Sequence, residues 1–269
     1  MYPSPFKYHR PATIEEAVAL FSAYEEASFL AGGHTLIPAM KNRLSAPQAL
    51  IDLRGVECLS AISKEGRKLT IGATATHAVV SVSKEVRESI PALAKLAGSI
   101  GDPQVRNVGT IGGSVANNDP SADYPSALLG LGATIITNAR RIAADDFFVG
   151  LFTTALEPGE IIVAIEVALP DAAGYAKICS QASRYAVAGS FVARHGNSVR
   201  VAITGAGQDG VFRWIEAEEV LTNFFDMRSL DGLLPDAETL VADLHGGADY
   251  RSHLVAEVTR RAVGDVSRH

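Results

Sequence analysis

Two short segments constrain this chain more than any other feature: Ala31-Gly32-Gly33-His34-Thr35 and Thr110-Ile111-Gly112-Gly113-Ser114. Each sets two adjacent glycines after apolar residues and follows them with a polar one. Adjacent glycines take positive φ at no steric cost and let a ligand approach the backbone closely. Consecutive N–H groups in such a turn converge on one anion as a nest. The first pair also precedes an expected helix, whose N-terminal dipole favours phosphate. Thr35 and Ser114 add hydroxyl donors. A diphosphate can be held this way with little help from Lys or Arg. The plain alternative is that each pair is a turn at a strand end, because short glycine motifs have little specificity.

Periodicity places these segments among ordinary elements. Thr13, with Glu16 three residues on, makes a capping box that opens a helix bearing Ile14, Val18 and Phe21 on one face. Phe29–Ala31 reads as a short buried strand, Leu36–Leu44 as a helix and Ala49–Leu53 as a strand. Leu59 to Ile71 reads as a hairpin turning at Glu65-Gly66, and Glu85 to Ser99 as a helix broken at Pro91. The polar stretch from Gly101 to Pro125 is too long for an ordinary connection and is expected to be a functional loop. Ala127–Leu131 follows as helix, then strands at Ala133–Thr137 and Ile161–Val167. A boundary is expected near Leu169–Gly174. Beyond it come strands at Ser190–Ala193 and Val199–Thr204 and helices at Glu216–Leu221 and Tyr250–Val263, a smaller α+β unit.

Composition excludes several classes. With 269 residues, 47% of them hydrophobic, the chain can bury a large core. Its net charge of −6 gives no broad field for nucleic acid. The N-terminus lacks the apolar run of a signal peptide, and no stretch reaches the ~18 apolar residues of a membrane span. A soluble, cytoplasmic protein is the expectation. The two cysteines, Cys58 and Cys179, form no CxxC pattern and imply no disulfide framework. An iron–sulfur cluster ordinarily takes four thiolates, so this chain alone cannot build one.

Within the long polar stretch, Asn117 and Asp123 can hydrogen-bond a ribityl chain or an ordered water. For Asp119 and Asp123 helix capping is the competing reading, and Arg106 reads as a structural ion-pair partner. Gly205-Ala-Gly207-Gln-Asp-Gly210 matches G-x-G-x-x-G after an apolar run, but only 59 residues follow it, too few for a dinucleotide fold. Asp209-Gly210 reads better as a turn into Val211-Phe-Arg.

The segments Ala31 to Lys41 and Gly101 to Pro125 strongly resemble the FAD-binding medium subunit of the xanthine dehydrogenase family of molybdenum hydroxylases, and most of all that of aerobic carbon monoxide dehydrogenase. Arg141-Ile-Ala-Ala-Asp-Asp-Phe-Phe, Leu156-Glu-Pro-Gly-Glu-Ile-Ile and Ala182-Ser-Arg-Tyr-Ala extend the similarity over nearly the whole chain. The resemblance implies an α+β chain: a two-part FAD-binding domain of the vanillyl-alcohol-oxidase type over 1–172, with subdomains about 1–55 and 56–172, then a small α+β C-terminal domain over 173–269. It puts the FAD diphosphate on Ala31, Gly32, Gly33, His34 and Thr35 and on Thr110, Ile111, Gly112, Gly113 and Ser114. By the same match Gly109, Asn117 and Asp123 lie along the cofactor, and Ile100, Gly101 and Val105 pack near the flavin. Ile162 and Lys177 would face the isoalloxazine, where a lysine can stabilise the charge of reduced flavin; for Lys177 a snorkelling surface lysine is the alternative. Tyr185 reads as a core aromatic, although it can lie near the flavin.

The resemblance also implies a heteromeric relay. A small subunit would carry [2Fe–2S] clusters and a large one molybdopterin and the substrate, assembled as a dimer of heterotrimers. Electrons would pass from the clusters through FAD to an external acceptor. No catalytic residue and no metal ligand are expected in this chain. One rival is a self-sufficient FAD oxidase or reductase of the same fold, which would need its own acid–base groups; none stands out. The other is a non-catalytic assembly protein, whose glycine motifs would be eroded; here they are intact.

Overall fold

A computed structural model describes residues 2–266. The chain opens on a three-stranded parallel sheet in the order Lys7–His9, Ala49–Asp52, Ala27–Leu30. The central strand is buried along its whole length, as a strand covered on both faces must be. Parallel strands need crossovers: the helix Leu36–Lys41 lies between the neighbours Ala27–Leu30 and Ala49–Asp52, and the helix Ile14–Ser22 joins the two outer strands, its Ala17 sharing a core with Ile51 and Leu53. Its capping box forms: Thr13 Oγ1 accepts from the Glu16 N–H at 3.1 Å. The Glu16 carboxylate reaches back one residue further than the motif's usual form, to the Ala12 N–H at 2.9 Å.

A five-stranded antiparallel sheet follows, ordered Ile62–Glu65, Lys68–Gly72, Ile162–Ala168, Thr134–Thr137, Arg141–Ala143. The expected hairpin turns at Glu65-Gly66, with Gly66 at φ 57°. The helices Pro91–Gly98 and Asp123–Leu131 bury their apolar residues with this sheet's in the largest core. Pro91 does break the expected helix, into Lys84–Ser89 and Pro91–Gly98.

The expected functional loop is not a loop. Gly101 to Pro125 contains the helices Pro103–Val108 and Ile111–Asn117 and the start of Asp123–Leu131. Each of the first two has a side-chain cap: Asp102 accepts from the Val105 N–H, and Thr110 accepts from the Gly113 N–H. Six or seven residues are too few for hydrophobic periodicity to register, so glycine and polar content concealed them. The second glycine pair therefore lies in a helix's first turn. Of the four paired glycines only Gly33 takes positive φ, at 69°. Arg106 makes no ion pair among the described residues; its guanidinium donates to the carbonyls of Ile100 and Gly101 at 3.0 and 2.9 Å and closes the preceding turn.

The last sheet is antiparallel, ordered Ala172–Cys179, Ala186–His195, Ser198–Thr204, Phe212–Arg213. The helices Ile215–Asn223 and Ala248–Val266 share its core. The G-x-G-x-x-G segment is the hairpin connection between the last two strands, with Gly205 at φ 82° and Gly210 at φ 104°. No helix among the described residues is long and apolar enough to cross a membrane.

Gly112 marks the tightest junction in the helical layer. A Cβ there would stand 2.6 Å from the Ala73 Cβ and 2.7 Å from its carbonyl oxygen. Gly112→Ala is expected to destabilise the fold by roughly 1–3 kcal/mol, the usual cost of overpacking. Chemical denaturation of the apoprotein checks this; an unchanged midpoint would contradict the junction.

Candidate functional site

A cavity of about 700 Å³ opens where the parallel sheet meets the helical layer. This lies within the roughly 300–1,000 Å³ of small-molecule and cofactor sites. One wall is the strand Ala27–Leu30, the turn Ala31–Thr35 and the start of the helix Leu36–Lys41; the other includes Ala73, Thr74, His77 and ten of the residues between Gly109 and Asp123.

The two glycine segments meet at the cavity. A Cβ on Gly32 would stand 2.6 Å from the Val108 carbonyl oxygen and 2.8 Å from the Gly109 Cα. Backbone lies on backbone, and only glycine permits it. The segments differ in what their amides do. The N–H groups of Ile111 and Gly112 donate to the carbonyls of Ala75 and Ala73 at 3.0 and 2.8 Å. Those of Gly113 and Ser114 go to the Thr110 hydroxyl and carbonyl at 3.1 and 3.0 Å. The N–H groups of Gly32, Gly33, His34 and Thr35 have no acceptor among the described residues. The helix after them has only six residues, so its dipole adds little and the turn's own amides are the donors. The Thr35 and Ser114 hydroxyls and the Asn117 amide also lack partners among the described residues and line the cavity.

Sixteen of the eighteen residues expected at a cofactor line this one cavity: Ala31 to Thr35, Ile100, Gly101, Val105, Gly109, Thr110, Gly112, Gly113, Ser114, Asn117, Asp123 and Ile162. Two do not. Ile111 is fully buried beneath the wall. Lys177 stands behind Asp123: its ammonium lies 2.9 Å from Asp123 Oδ1 and donates to the carbonyls of Ser99 and Arg184 at 3.2 and 3.3 Å. It is no snorkelling surface residue, since only 9% of its side chain is exposed. Asp123 caps nothing; it opens its helix and also accepts from the Tyr175 hydroxyl. Burial pushes the Asp123 carboxyl above its usual range, and the Lys177 and Tyr175 contacts oppose that shift. Asp119 does act locally, accepting from the Ser121 N–H at 2.9 Å.

Sequence reasoning left out several polar residues of the lining, His77 and Glu160 among them, and read Tyr185 first as a core aromatic. Tyr185 is not a core aromatic; it is 47% exposed and lines the cavity. His77 is buried, and burial, with help from the charges of His34 and Arg106, pulls its imidazole down to about 4. It had no signal beyond a Thr76 that caps the helix His77–Val82. Glu160 is buried at the end of a strand; the Arg140 guanidinium donates to both its oxygens at 3.0 Å. That hydrogen bonding, with the Glu157 N–H and the Thr137 hydroxyl, holds the Glu160 carboxyl down at about 2.

Known proteins resemble this chain over nearly its whole length. Residues 4–170 match the family described as FAD binding domain in molybdopterin dehydrogenase. The chain is 38% identical to the carbon monoxide dehydrogenase medium chain of Afipia carboxidovorans, covering 98% of this chain and 97% of that one. It is 34% identical to the nicotine 6-hydroxylase medium subunit of Paenarthrobacter nicotinovorans, over 96% and 95% of the two chains. Among solved structures, a chain of the reconstituted CO dehydrogenase from Oligotropha carboxidovorans superposes with a TM-score of 0.90 at 34% identity, covering 100% of this chain and 99% of that one.

Glu160 supplies a pH test of the wall. Its carboxyl is depressed in the folded state, so its contribution is present above the ordinary carboxylate range and fades as pH falls toward about 2. The full contribution is at most roughly 3 kcal/mol, less for the exposure of Arg140. Glu160→Gln is expected to flatten the loss of stability between about pH 5 and pH 2. Denaturation midpoints across that range check it; parallel curves for the two proteins would contradict the assignment.

Proposed function

We propose a function from one premise: this chain belongs to the family of FAD binding domains in molybdopterin dehydrogenases. It is a medium, FAD-binding oxidoreductase subunit of the molybdenum hydroxylase family. Within that family we infer a relay: the chain takes electrons from the [2Fe–2S] clusters of a small partner subunit and passes them through FAD to an external acceptor. A large partner holds molybdopterin and oxidises the substrate. The word medium in its relatives' names supports larger and smaller companions. Two cysteines support clusters housed elsewhere, because a cluster ordinarily needs four thiolates. A dimer of heterotrimers in the cytoplasm completes the reading.

One observation carries it: four consecutive free amides, Gly32 to Thr35, line a cavity of cofactor size and sit on a second glycine segment with no side chain between. A diphosphate suits that donor set, since its charge is met by backbone dipoles rather than by a lysine or arginine. The Thr35 and Ser114 hydroxyls extend the set, and Asn117 and Asp123 stand further along the wall. Ile100, Gly101, Val105 and Ile162 add lining that suits the flavin ring. Ile111 and Lys177 act from behind, the first tying the glycine helix to Ala75 and the second fixing the Asp123 carboxylate. Bound FAD supplies the exchange between one-electron and two-electron transfer; the protein binds, orients and tunes it.

The purified chain is expected to take up stoichiometric FAD. Gly33→Val should abolish retention while leaving the far-UV spectrum intact, because Gly33 is at φ 69° and a β-branched residue cannot keep the turn. Reduced [2Fe–2S] partner should then bleach flavin absorbance in the wild type alone. A chain that takes up no FAD overturns the reading, and one that oxidises an organic substrate unaided replaces the relay with a self-sufficient enzyme.

A further inference from the structure

We propose that His77 is a binding residue for the cofactor's diphosphate, its Nε2–H donating to the anion that the Gly32–Thr35 turn cradles. The inference rests on the FAD reading above and adds a side-chain donor from a segment outside both glycine motifs.

The ring has a fixed place. The His77 N–H donates to the Gly109 carbonyl at 2.9 Å, and Thr76 caps the helix that His77 begins. His77 is 5% exposed, and the little surface it keeps lines the cavity. Its two nitrogens are inequivalent. Nδ1 is enclosed with no hydrogen-bond partner. Nε2 lies against Gly109, where a Cβ would stand 2.6 Å from it. The Gly109 Cα in turn lies 2.8 Å from where a Gly32 Cβ would be. Imidazole, Gly109 and Gly32 are thus stacked in series, with Gly109 between the ring and the free-amide turn, and both the ring and the turn line the one cavity.

The position of the ring proton follows. A neutral imidazole carries one N–H, and a buried N–H left without an acceptor costs about 1–3 kcal/mol. On Nδ1 the proton would have no acceptor; on Nε2 it gains one when an anion enters the cavity. Burial, His34 and Arg106 keep the ring uncharged at neutral pH, so the donor adds no buried cation. The bland reading is a packing histidine, since its ring lies 5.4 Å from that of Tyr124. A packing role predicts no difference between an isosteric donor and a non-donor beyond fold stability.

The test uses the full chain as wild type, His77→Gln and His77→Phe. Dissociation constants for FAD are read by flavin fluorescence, and thermal midpoints of the apoproteins control for folding. His77→Phe should weaken FAD binding about tenfold or more, the equivalent of one hydrogen bond to a charged group. His77→Gln, which keeps a donor, should recover most of that, and the ³¹P resonances of bound FAD should shift in the phenylalanine variant. Equal affinity in all three proteins, or a glutamine variant no better than the phenylalanine one, overturns the proposal. If His77→Phe fails to fold, ¹⁵N spectra of wild-type His77 decide: an Nε2-protonated ring whose resonance moves on adding FAD supports it, and an Nδ1-protonated or unmoved ring overturns it. Wild type that binds FAD while the variants match it sinks this inference alone; wild type that binds none removes the functional reading and this inference together.

Discussion

The turn at Gly32 and the backbone at Val108–Thr110 lie against each other with no side chain between them, and the rest of the site is arranged around that contact. With less than 3 Å between the Gly32 Cβ position and the Gly109 Cα, any other residue would force the layers apart. The contact joins the small parallel sheet to the helices covering the antiparallel sheet. A second backbone seam continues it: His77 to Gly109, Ile111 to Ala75 and Gly112 to Ala73, all at 2.8–3.0 Å. The cavity is the space this geometry leaves open. Its shape depends on main-chain hydrogen bonds more than on side-chain choice.

At Asp123 the wall depends on charge. Asp123 is buried and the Lys177 side chain nearly so, and two buried ions cost more than their attraction returns unless every remaining donor and acceptor is met. Here they are met: Tyr175 donates to the carboxylate, and the ammonium also reaches the carbonyls of Ser99 and Arg184. Lys177 and Tyr175 lie on the first strand of the last sheet, Asp123 opens a helix of the middle layer, and Ser99 closes another. One ion pair therefore ties the last sheet to the cavity wall. Its value is positional: it fixes where a carboxylate stands in a site whose other polar groups are mostly backbone.

Most of the long elements were legible because each shows its period; the strand Ala172–Cys179, which begins inside the expected boundary at Leu169–Gly174, was not. The strands of the antiparallel sheet, the Pro91 break, the Glu65-Gly66 turn and the terminal helix all follow from alternation, proline and glycine chemistry. The short helices at Pro103–Val108 and Ile111–Asn117 were not, since a helix of two turns shows caps but no stripe. Their caps, Asp102 before a proline and Thr110 before the glycines, were present to be read. His77 was illegible for another reason: its importance comes from a partner thirty-two residues away, Gly109, which no local pattern announces. Tyr185 and Lys177 show the same limit with opposite outcomes, the aromatic standing open at the cavity and the lysine enclosed.

The two glycine segments look alike in sequence and do different work in the fold. Both offer consecutive amides on paper. In the second, carbonyls of Ala73, Ala75 and Thr110 and the Thr110 hydroxyl consume those amides, so Gly112 serves close packing, with Ser114 the side-chain donor beside it. In the first, nothing among the described residues consumes them, and Gly33 alone bends into the left-handed region. A local motif specifies which backbone shapes are allowed, but whether its amides face a ligand or the protein itself depends on which distant carbonyls arrive. That decision lies with the segment Ala73–His77, whose carbonyls close the second turn and whose histidine lines the same cavity as the first. On the proposed reading, anion binding in this fold is a property of three segments together, although only two of them carry a recognisable motif.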